Sequence, residues 1–460
     1  MNDPKVSVII PAYNQADFLV ESVQSVLDQT YSNFEVIVVN DASTDKTDEV
    51  IRRLDDPRIK YIMHKENRYA AAARNTGIRA AQGELIAFLD ADDIFQPQKL
   101  QTQVSYLIDN PDIGLTYCSR FEIDETGRIL KIAKAPIEIT LSNLVMDFPI
   151  SPCNALIRKI WFNRAGLFDE AFSYSAEDPD FLRRLALAGC QMSGANRCLY
   201  FRRIYTNRRY KNLEGVIADQ VQALENTFSN PQCPPDVLHL RDKSFAKIYL
   251  ICSYLSFFQN STDIGQDLLR KSISLNPSLL ENQAGFFLSY LIHSSIRAGG
   301  NHEEILYRIF SQLPSDLQWI TEHAKSSVAY GYLLRGAREI IWDRIDQGKG
   351  NLNSAVELGS KPDYRFLQIV TQWLLNYESE FGPDAAQVVL ERLAYNFRKV
   401  SNSRYARRLR GSYFINQAFQ DYFSGKYVGV PSTVLEAISY DPSYLFNRGA
   451  WSVLLRSIIK

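Results

Sequence analysis

The side chains most able to do chemistry here are carboxylates, gathered in short clusters within the first two hundred residues. Asp41-Ala42-Ser43-Thr44-Asp45 is one, Asp90-Ala91-Asp92-Asp93 a second and Glu177-Asp178 a third; Pro11-Ala12-Tyr13-Asn14 stands ahead of them. Carboxylate oxygens are hard ligands that suit Mg²⁺ or Mn²⁺, and those ions keep positions free for substrate phosphates. One or two carboxylates suffice to hold such an ion. Another, set beside a hydroxyl, can act as a general base. Each cluster also has a plainer use. Asp90–Asp93 suits an acidic turn, and Asp41 and Asp45 suit a turn and helix cap. Glu177 and Asp178 suit a helix start, where negative charge meets the positive end of the dipole.

The elements that must position these residues are legible. Val6–Ile10, Val36–Val39 and Leu85–Leu89 are short apolar runs bounded by turn formers, and they read as buried strands. The Pro11, Asp41 and Asp90 clusters each follow the end of such a run. A helix is expected after the first strand, with Leu19, Val23, Val26 and Leu27 on one face. A second opens at the capping candidates Ser43 and Thr44, and an alanine-rich helix lies between Ala70 and Ala81. This alternation predicts an α/β fold with a mostly parallel sheet covered by helices. In such sheets ligands bind beyond the carboxyl ends of the strands.

Read in order, the segments PAYN (11–14), NDAST (40–44), NRYAAAARN (67–75), GELIAFLDADD (83–93), GLFDE (166–170) and AEDPDFLRRL (176–185) strongly resemble a family 2 inverting glycosyltransferase of the GT-A fold. The resemblance covers about residues 5–210. It implies a nucleoside-diphosphate sugar donor, with a UDP-sugar favoured, and a glycan, lipid-linked saccharide or other hydroxyl as acceptor. Asp90 and Asp92 match the family's DxD pair. Asp92 is the expected direct ligand of Mn²⁺ or Mg²⁺, Asp90 would contact the ribose or a metal-bound water, and Asp93 would support them. Asp41 would hold the base or ribose, with Ala12 and Tyr13 lining that site. Arg68 and Arg74 would neighbour the base or diphosphate, although Arg74 equally suits a structural ion pair. Asp178 is the expected general base, and Glu177 would turn to the acceptor or metal. Arg202, Arg203, Tyr205, Arg208, Arg209, Tyr210 and Lys211 read either as a lid whose arginines clamp the diphosphate or as a solvated face. That stretch lacks the QxxRW signature of processive synthases. Two alternatives are a sugar nucleotidyltransferase and a non-catalytic scaffold. The first needs a glycine-rich basic loop after the first strand, which PAYN does not supply; intact Asp90, Asp92 and Asp178 argue against the second.

With 460 residues the chain should hold two or three domains. The expected division is a GT-A catalytic domain over 1–210 and an α-helical domain over 211–460, the latter open to a further split. Fifty-one basic and 52 acidic residues give no reason to expect nucleic acid. Met1–Pro4 shows no basic-then-apolar leader, and the apolar stretch Ile248–Phe258 is too short to span a bilayer. A cytoplasmic protein is expected, with peripheral contact at the inner face of the membrane as an extension of that reading. The scattered histidines do not suggest zinc. Cys118, Cys153, Cys190, Cys198, Cys233 and Cys252 read as reduced thiols. In the helical part, Ser229–Pro235 looks like a turn-rich linker. Lys271–Leu280 and Glu436–Leu445 resemble each other and the second helix of a tetratricopeptide-like hairpin, stopped by Asn-Pro or Asp-Pro. Trp319, Trp342, Trp373 and Trp451 read as packing residues. Arg404, Arg407, Arg408 and Arg410 form a basic cluster suited to phosphate, a membrane surface or a solvated helix face. The helical part is expected to recognise the acceptor or a partner.

Overall fold

The computed structural model describes residues 3–205, 210–297, 300–400 and 403–459. Contacts divide the chain into two compact units: Met1–Arg128, Ala133–Phe287 and Gln312–Pro314 form the first, and Ile129–Ile132, Leu288–Ser311 and Ser315–Lys460 the second.

The first unit is built on a sheet of β1 (Val6–Ala12), β2 (Phe34–Asn40), β3 (Ile59–Met63), β4 (Leu85–Phe88), β5 (Ile94–Phe95), β6 (Leu115–Ile123), β8 (Glu138–Ile139), β9 (Ala155–Arg158) and β10 (Met192–Arg203); β7 (Ile129–Ala133) falls in the second unit except for Ala133. The main path runs β3-β2-β1-β4-β9-β6-β10-β5. Neighbours β3/β2, β2/β1, β1/β4 and β6/β10 are parallel, whereas β9 runs antiparallel between β4 and β6. The carboxyl ends of β1, β2, β3, β4, β6 and β10 therefore share one edge, and β9 begins there.

The strand runs are β-branched and apolar because both faces are buried. Val8, Ile10, Val36, Val38 and Ala87 face a layer that includes α1 (Ala16–Leu27) through Leu19, Val23 and Val26. Ile9, Ile37, Val39, Ile86 and Phe88 face the other layer. Following α2 (Thr47–Arg52), α3 (Tyr69–Ala80) joins that second layer through Ala71, Ala73 and Ile78. The small residues of α3 permit close approach: a Cβ on Gly77 would lie 2.3 Å from Ile9 Cγ2. Helices α4 (Lys99–Asp109), α5 (Leu141–Met146), α6 (Ile160–Ala165) and α7 (Glu177–Leu187) complete the covering.

Four further helices belong to this unit: α8 (Leu213–Phe228), α9 (Pro235–Leu238), α10 (Arg241–Phe258) and α11 (Thr262–Leu275). Leu224, Phe228, Cys233, Val237 and Phe245 form one buried cluster with Leu141 and Val145 of α5. The turn-rich segment around Ser229–Pro235 is thus part of a core through Cys233. A chain cut near residue 225 would open that cluster.

The second unit is helical: α12 (Glu281–Arg297) from Leu288 onward, α13 (His302–Ser311), α14 (Ala324–Ile341), α15 (Ile345–Glu357), α16 (Tyr364–Phe381), α17 (Pro383–Val400), α18 (Ser403–Phe423), α19 (Val430–Tyr440) and α20 (Arg448–Ile459). The two similar segments behave alike. α11 and α19 stop at Asn276 and Asp441, and each is followed by a 3₁₀ turn that opens on proline, Pro277–Leu280 and Pro442–Phe446. They lie in different units. Trp342 packs on the rings of Tyr377 and Phe381, but Trp319 and Trp451 are exposed, contrary to the packing expectation. Nor is the Arg404–Arg410 cluster simply solvated. Arg410 is buried, donating from Nε to Glu391 at 2.7 Å, and Arg408 lies 3.8 Å from Asp441. No described helix is long and apolar enough to cross a membrane.

Gly77→Ala should destabilise the protein by about 1–3 kcal/mol, because the added methyl has only Ile9 to displace in a close-packed layer. Denaturant unfolding measures this. A midpoint equal to that of the wild type would mean that α3 can move away from the sheet freely.

Candidate active site

The shared carboxyl edge collects the sequence clusters. Asp41 follows β2, Asp90, Asp92 and Asp93 follow β4, and α7 brings in Glu177 and Asp178. What joins them is Arg74 on α3. Its Nη2 lies 3.1 Å from Asp90 Oδ1, and its Nη1 lies 2.9 Å from Glu177 Oε1 and 3.1 Å from Asp178 Oδ1. The guanidinium stands over the Phe168 ring, 5.5 Å from its centre. Arg74 is buried. Burial works against its charge, yet Asp178, Asp90 and Glu177 outweigh that and hold it charged well above the ordinary arginine range.

Asp178 is the chemically distinctive acid. Its carboxyl is raised to about 7: burial is the largest cause, Arg74 opposes it, Glu177 and Asp90 add to it, and Arg202 opposes it. Its Oδ1 is buried without a hydrogen bond of good geometry, the contact to Arg74 being ionic. An acid of this kind exchanges a proton near neutrality. Glu177 and Asp178 open α7 immediately after Ala176, which has a positive φ of 74°. They therefore serve as acidic first-turn residues as well.

Asp41 is held from several sides. Its carboxylate accepts the Arg68 amide at 2.9 and 3.1 Å and contacts His64 Nδ1 at 2.6 Å, and His64 Nε2 meets Thr76 Oγ1 at 2.9 Å. The Asp41 amide donates to Ala12 O at 2.8 Å, which ties the ends of β1 and β2. Ala12 is buried and Tyr13 is exposed beside it. The Arg68 guanidinium turns to Glu170 at 2.8 Å. Glu170 Oε1 and the Phe168 carbonyl also accept Asn75 Nδ2, each at 2.9 Å. The 166–170 segment thus fixes α3 and, with it, Arg74. Asp45 takes the plain role: Oδ2 accepts the Ala16 amide and Oδ1 the Thr47 amide, supporting the starts of α1 and α2.

Asp93 is buried, and its Oδ1 accepts the Arg203 amide at 2.8 Å. Burial, then Asp92 and Asp90, raise its carboxyl well above the usual range. The Arg203 guanidinium is fully engaged by protein. It donates to the carbonyls of Asp92, Asp124 and Glu125, pairs with Glu21 at 2.8 Å and lies over Phe18. It is buried, not solvated. Arg202 is half-buried; burial alone would depress it, but Tyr200, Asp93, Glu122 and Asp90 together raise it. The Tyr205 phenol is raised by burial and by the adjacent Asp92 carboxylate. Arg208 and Arg209, also read as lid residues, lie outside the described residues.

Ligand atoms of Asp90, Asp93 and Cys153 lie within 4.8 Å of one another. The carboxylates fit Mg²⁺ or Mn²⁺, which prefer oxygen. Cys153 does not: burial, then Asp90 and Asp93, push its thiol well up, so it stays protonated. An ion here would rest on the carboxylates, with the raised Asp93 behind them. His64 and Cys153 were missed in the sequence. His64 has one signal, its position directly after β3; Cys153 arrives only because antiparallel β9 starts at this edge.

Arg74→Met should cost about 3–5 kcal/mol at pH 7, since three acids lose their shared counter-charge. Without it the Asp178 carboxyl rises further above its unfolded value, so protonation favours the fold. The deficit should shrink as pH falls from 7 to 5. Unfolding curves at the two pH values check this, and a pH-independent deficit would contradict a charge origin.

Residues 7–165 match the Glycosyl transferase family 2 model. An uncharacterized glycosyltransferase of Rickettsia bellii is 46% identical over 132 residues, 28% of this chain and 19% of that protein. A UDP-Glc:alpha-D-GlcNAc-diphosphoundecaprenol beta-1,3-glucosyltransferase of Escherichia coli is 36% identical over 163 residues, 35% of this chain and 64% of that protein. The chain thus spans less than two thirds of the length of these relatives. Among solved structures, S. aureus TarS 1-349 in complex with UDP aligns over 75% of this chain and 92% of that one, at 18% identity and a TM-score of 0.39. Over residues 7–165 the chain is thus similar to family 2 glycosyl transferases, on a mostly parallel sheet covered by helices.

Proposed function

We propose that this chain transfers a sugar, with inversion, from a nucleoside-diphosphate sugar to a hydroxyl of a glycan or lipid-linked saccharide. The observation that carries the reading is the Arg74-centred group of Asp90, Glu177 and Asp178 at the carboxyl edge of the sheet, with Asp178 raised to about 7. A UDP-sugar is the favoured donor, in keeping with the names of the Escherichia coli relatives. Inversion needs one base and no covalent intermediate. Asp178 takes the proton of the attacking hydroxyl, and Arg74 orients Asp178 and lowers the cost of its ionised form. Asp41, anchored by His64 and the Arg68 amide, presents its remaining accepting capacity to the base or ribose beside Ala12 and Tyr13. Asp92 and Asp90 would hold Mn²⁺ or Mg²⁺, with Asp93 in support. Such an ion supplies charge stabilisation for the departing diphosphate. The helical second unit would serve acceptor or partner recognition. The protein would work in the cytoplasm.

Asp92→Asn should lower turnover by about 100-fold or more while the fold persists. Nucleotide release measured against Mn²⁺ and Mg²⁺ concentration checks this; full wild-type turnover in excess chelator would remove the metal from the reaction.

Asp178→Asn should abolish transfer and leave nucleotide affinity, read by calorimetry, nearly unchanged. Because the base works ionised, wild-type kcat/KM should fall about ten-fold per pH unit below a pKa near 7. A flat profile from pH 5 to 8, or loss of nucleotide binding in the variant, would reassign Asp178.

A further inference from the structure

Helix α20 (Arg448–Ile459) has two apolar faces and needs only one of them for its own packing. Ala450, Val453 and Leu454 are buried, and they anchor the helix. Trp451, Leu455 and Ile458 are 40%, 56% and 65% exposed. Their spacing of four and three residues puts them within an arc of about 60° beside the buried face. The stripe continues beyond the helix. The Trp451 indole donates to the Leu445 carbonyl at 2.6 Å, which brings the 3₁₀ turn carrying Leu445 and Phe446 to its edge. Both of those side chains are exposed, Phe446 at 88%.

The charges within this segment have one sign. From Pro442 to Ile459 the chain carries Arg448 and Arg456 and no acid. Both arginines are exposed, and Arg448, three residues before Trp451, lies on the same side of α20. The nearest acid in sequence, Asp441, is already engaged: it accepts the Ser443 amide and lies 3.8 Å from Arg408. A tryptophan with aliphatic neighbours, flanked in sequence by arginines in a segment without acids, matches an interfacial helix lying in the plane of a bilayer. There the apolar side chains enter the acyl boundary, the indole sits at headgroup depth and the guanidiniums meet anionic headgroups.

We propose that the face of Leu445, Phe446, Trp451, Leu455 and Ile458, with Arg448 and Arg456, docks the protein on an anionic lipid surface. The reading does not depend on the transfer reaction and needs no sugar donor to be tested. The full chain is sedimented with vesicles of phosphatidylcholine alone and with vesicles containing phosphatidylglycerol. Binding should be about ten-fold or more stronger to the anionic vesicles and weaken with salt. Combined Trp451→Ser, Leu455→Ser and Ile458→Ser should abolish it, and Arg448→Glu with Arg456→Glu should reduce it to the level seen on neutral vesicles. Circular dichroism confirms folding, and the single change Ile458→Asp, at the outermost position, gives a milder second reading with a loss of several-fold. Absence of binding to anionic vesicles, or equal binding by the apolar variants, overturns the proposal. So does a concentration-dependent dimer in sedimentation velocity that the triple variant loses while vesicle binding is unchanged, since a second copy would then cover the face.

Discussion

The candidate site depends on one buried cation. Arg74 is surrounded by Asp90, Glu177 and Asp178, which come from two separate parts of the chain and would repel one another without it. A guanidinium suits this position because its planar fork serves several carboxylates at once and it stays charged when buried. The same contact sets Asp178. Burial raises that carboxyl while Arg74 restrains the rise, and the balance falls near neutrality. Stability and reactivity thus rest on the same ion pairs.

Arg74 can be buried only because α3 lies against the sheet. Its alanines and Gly77 bring the helix axis close to β1, and Asn75 pins it to the Phe168–Glu170 segment. Phe168 also provides the ring over which the guanidinium stands. The residues of the GLFDE segment therefore have a positioning role. They hold the helix that holds the arginine.

The loops at the sheet edge show a similar economy. Asp93 takes the amide of Arg203, and Arg203 in turn grips the carbonyl of Asp92. The acidic turn after β4 is thereby cross-linked to the end of β10, more than a hundred residues later. Asp41, His64 and Thr76 do the same for β2, β3 and α3. Side chains near a polar site are held by hydrogen bonds as well as by packing, and several polar residues that read as ligand-binding are wholly or partly occupied in that work.

The sequence by itself determined the α/β alternation, the three most apolar strands and the placement of acids at their ends, because continuous apolar runs and turn chemistry are local properties. It also determined that Asp45 suits a cap and that Asn276 and Asp441 precede helix-stopping prolines. Other features were decided by tertiary structure. β3 and β10 are less continuously apolar, and antiparallel β9 owes its place to the strands on either side, so no local pattern announced that Cys153 would meet Asp90 and Asp93. Arg203 reads as a surface charge until its partners at Glu21, Asp92 and Asp124 are brought together. Arg74 sits in an alanine-rich helix whose pattern is the same whether that residue faces solvent, phosphate or acids. Its role follows from distances between residues about a hundred positions apart, and only the folded chain sets those.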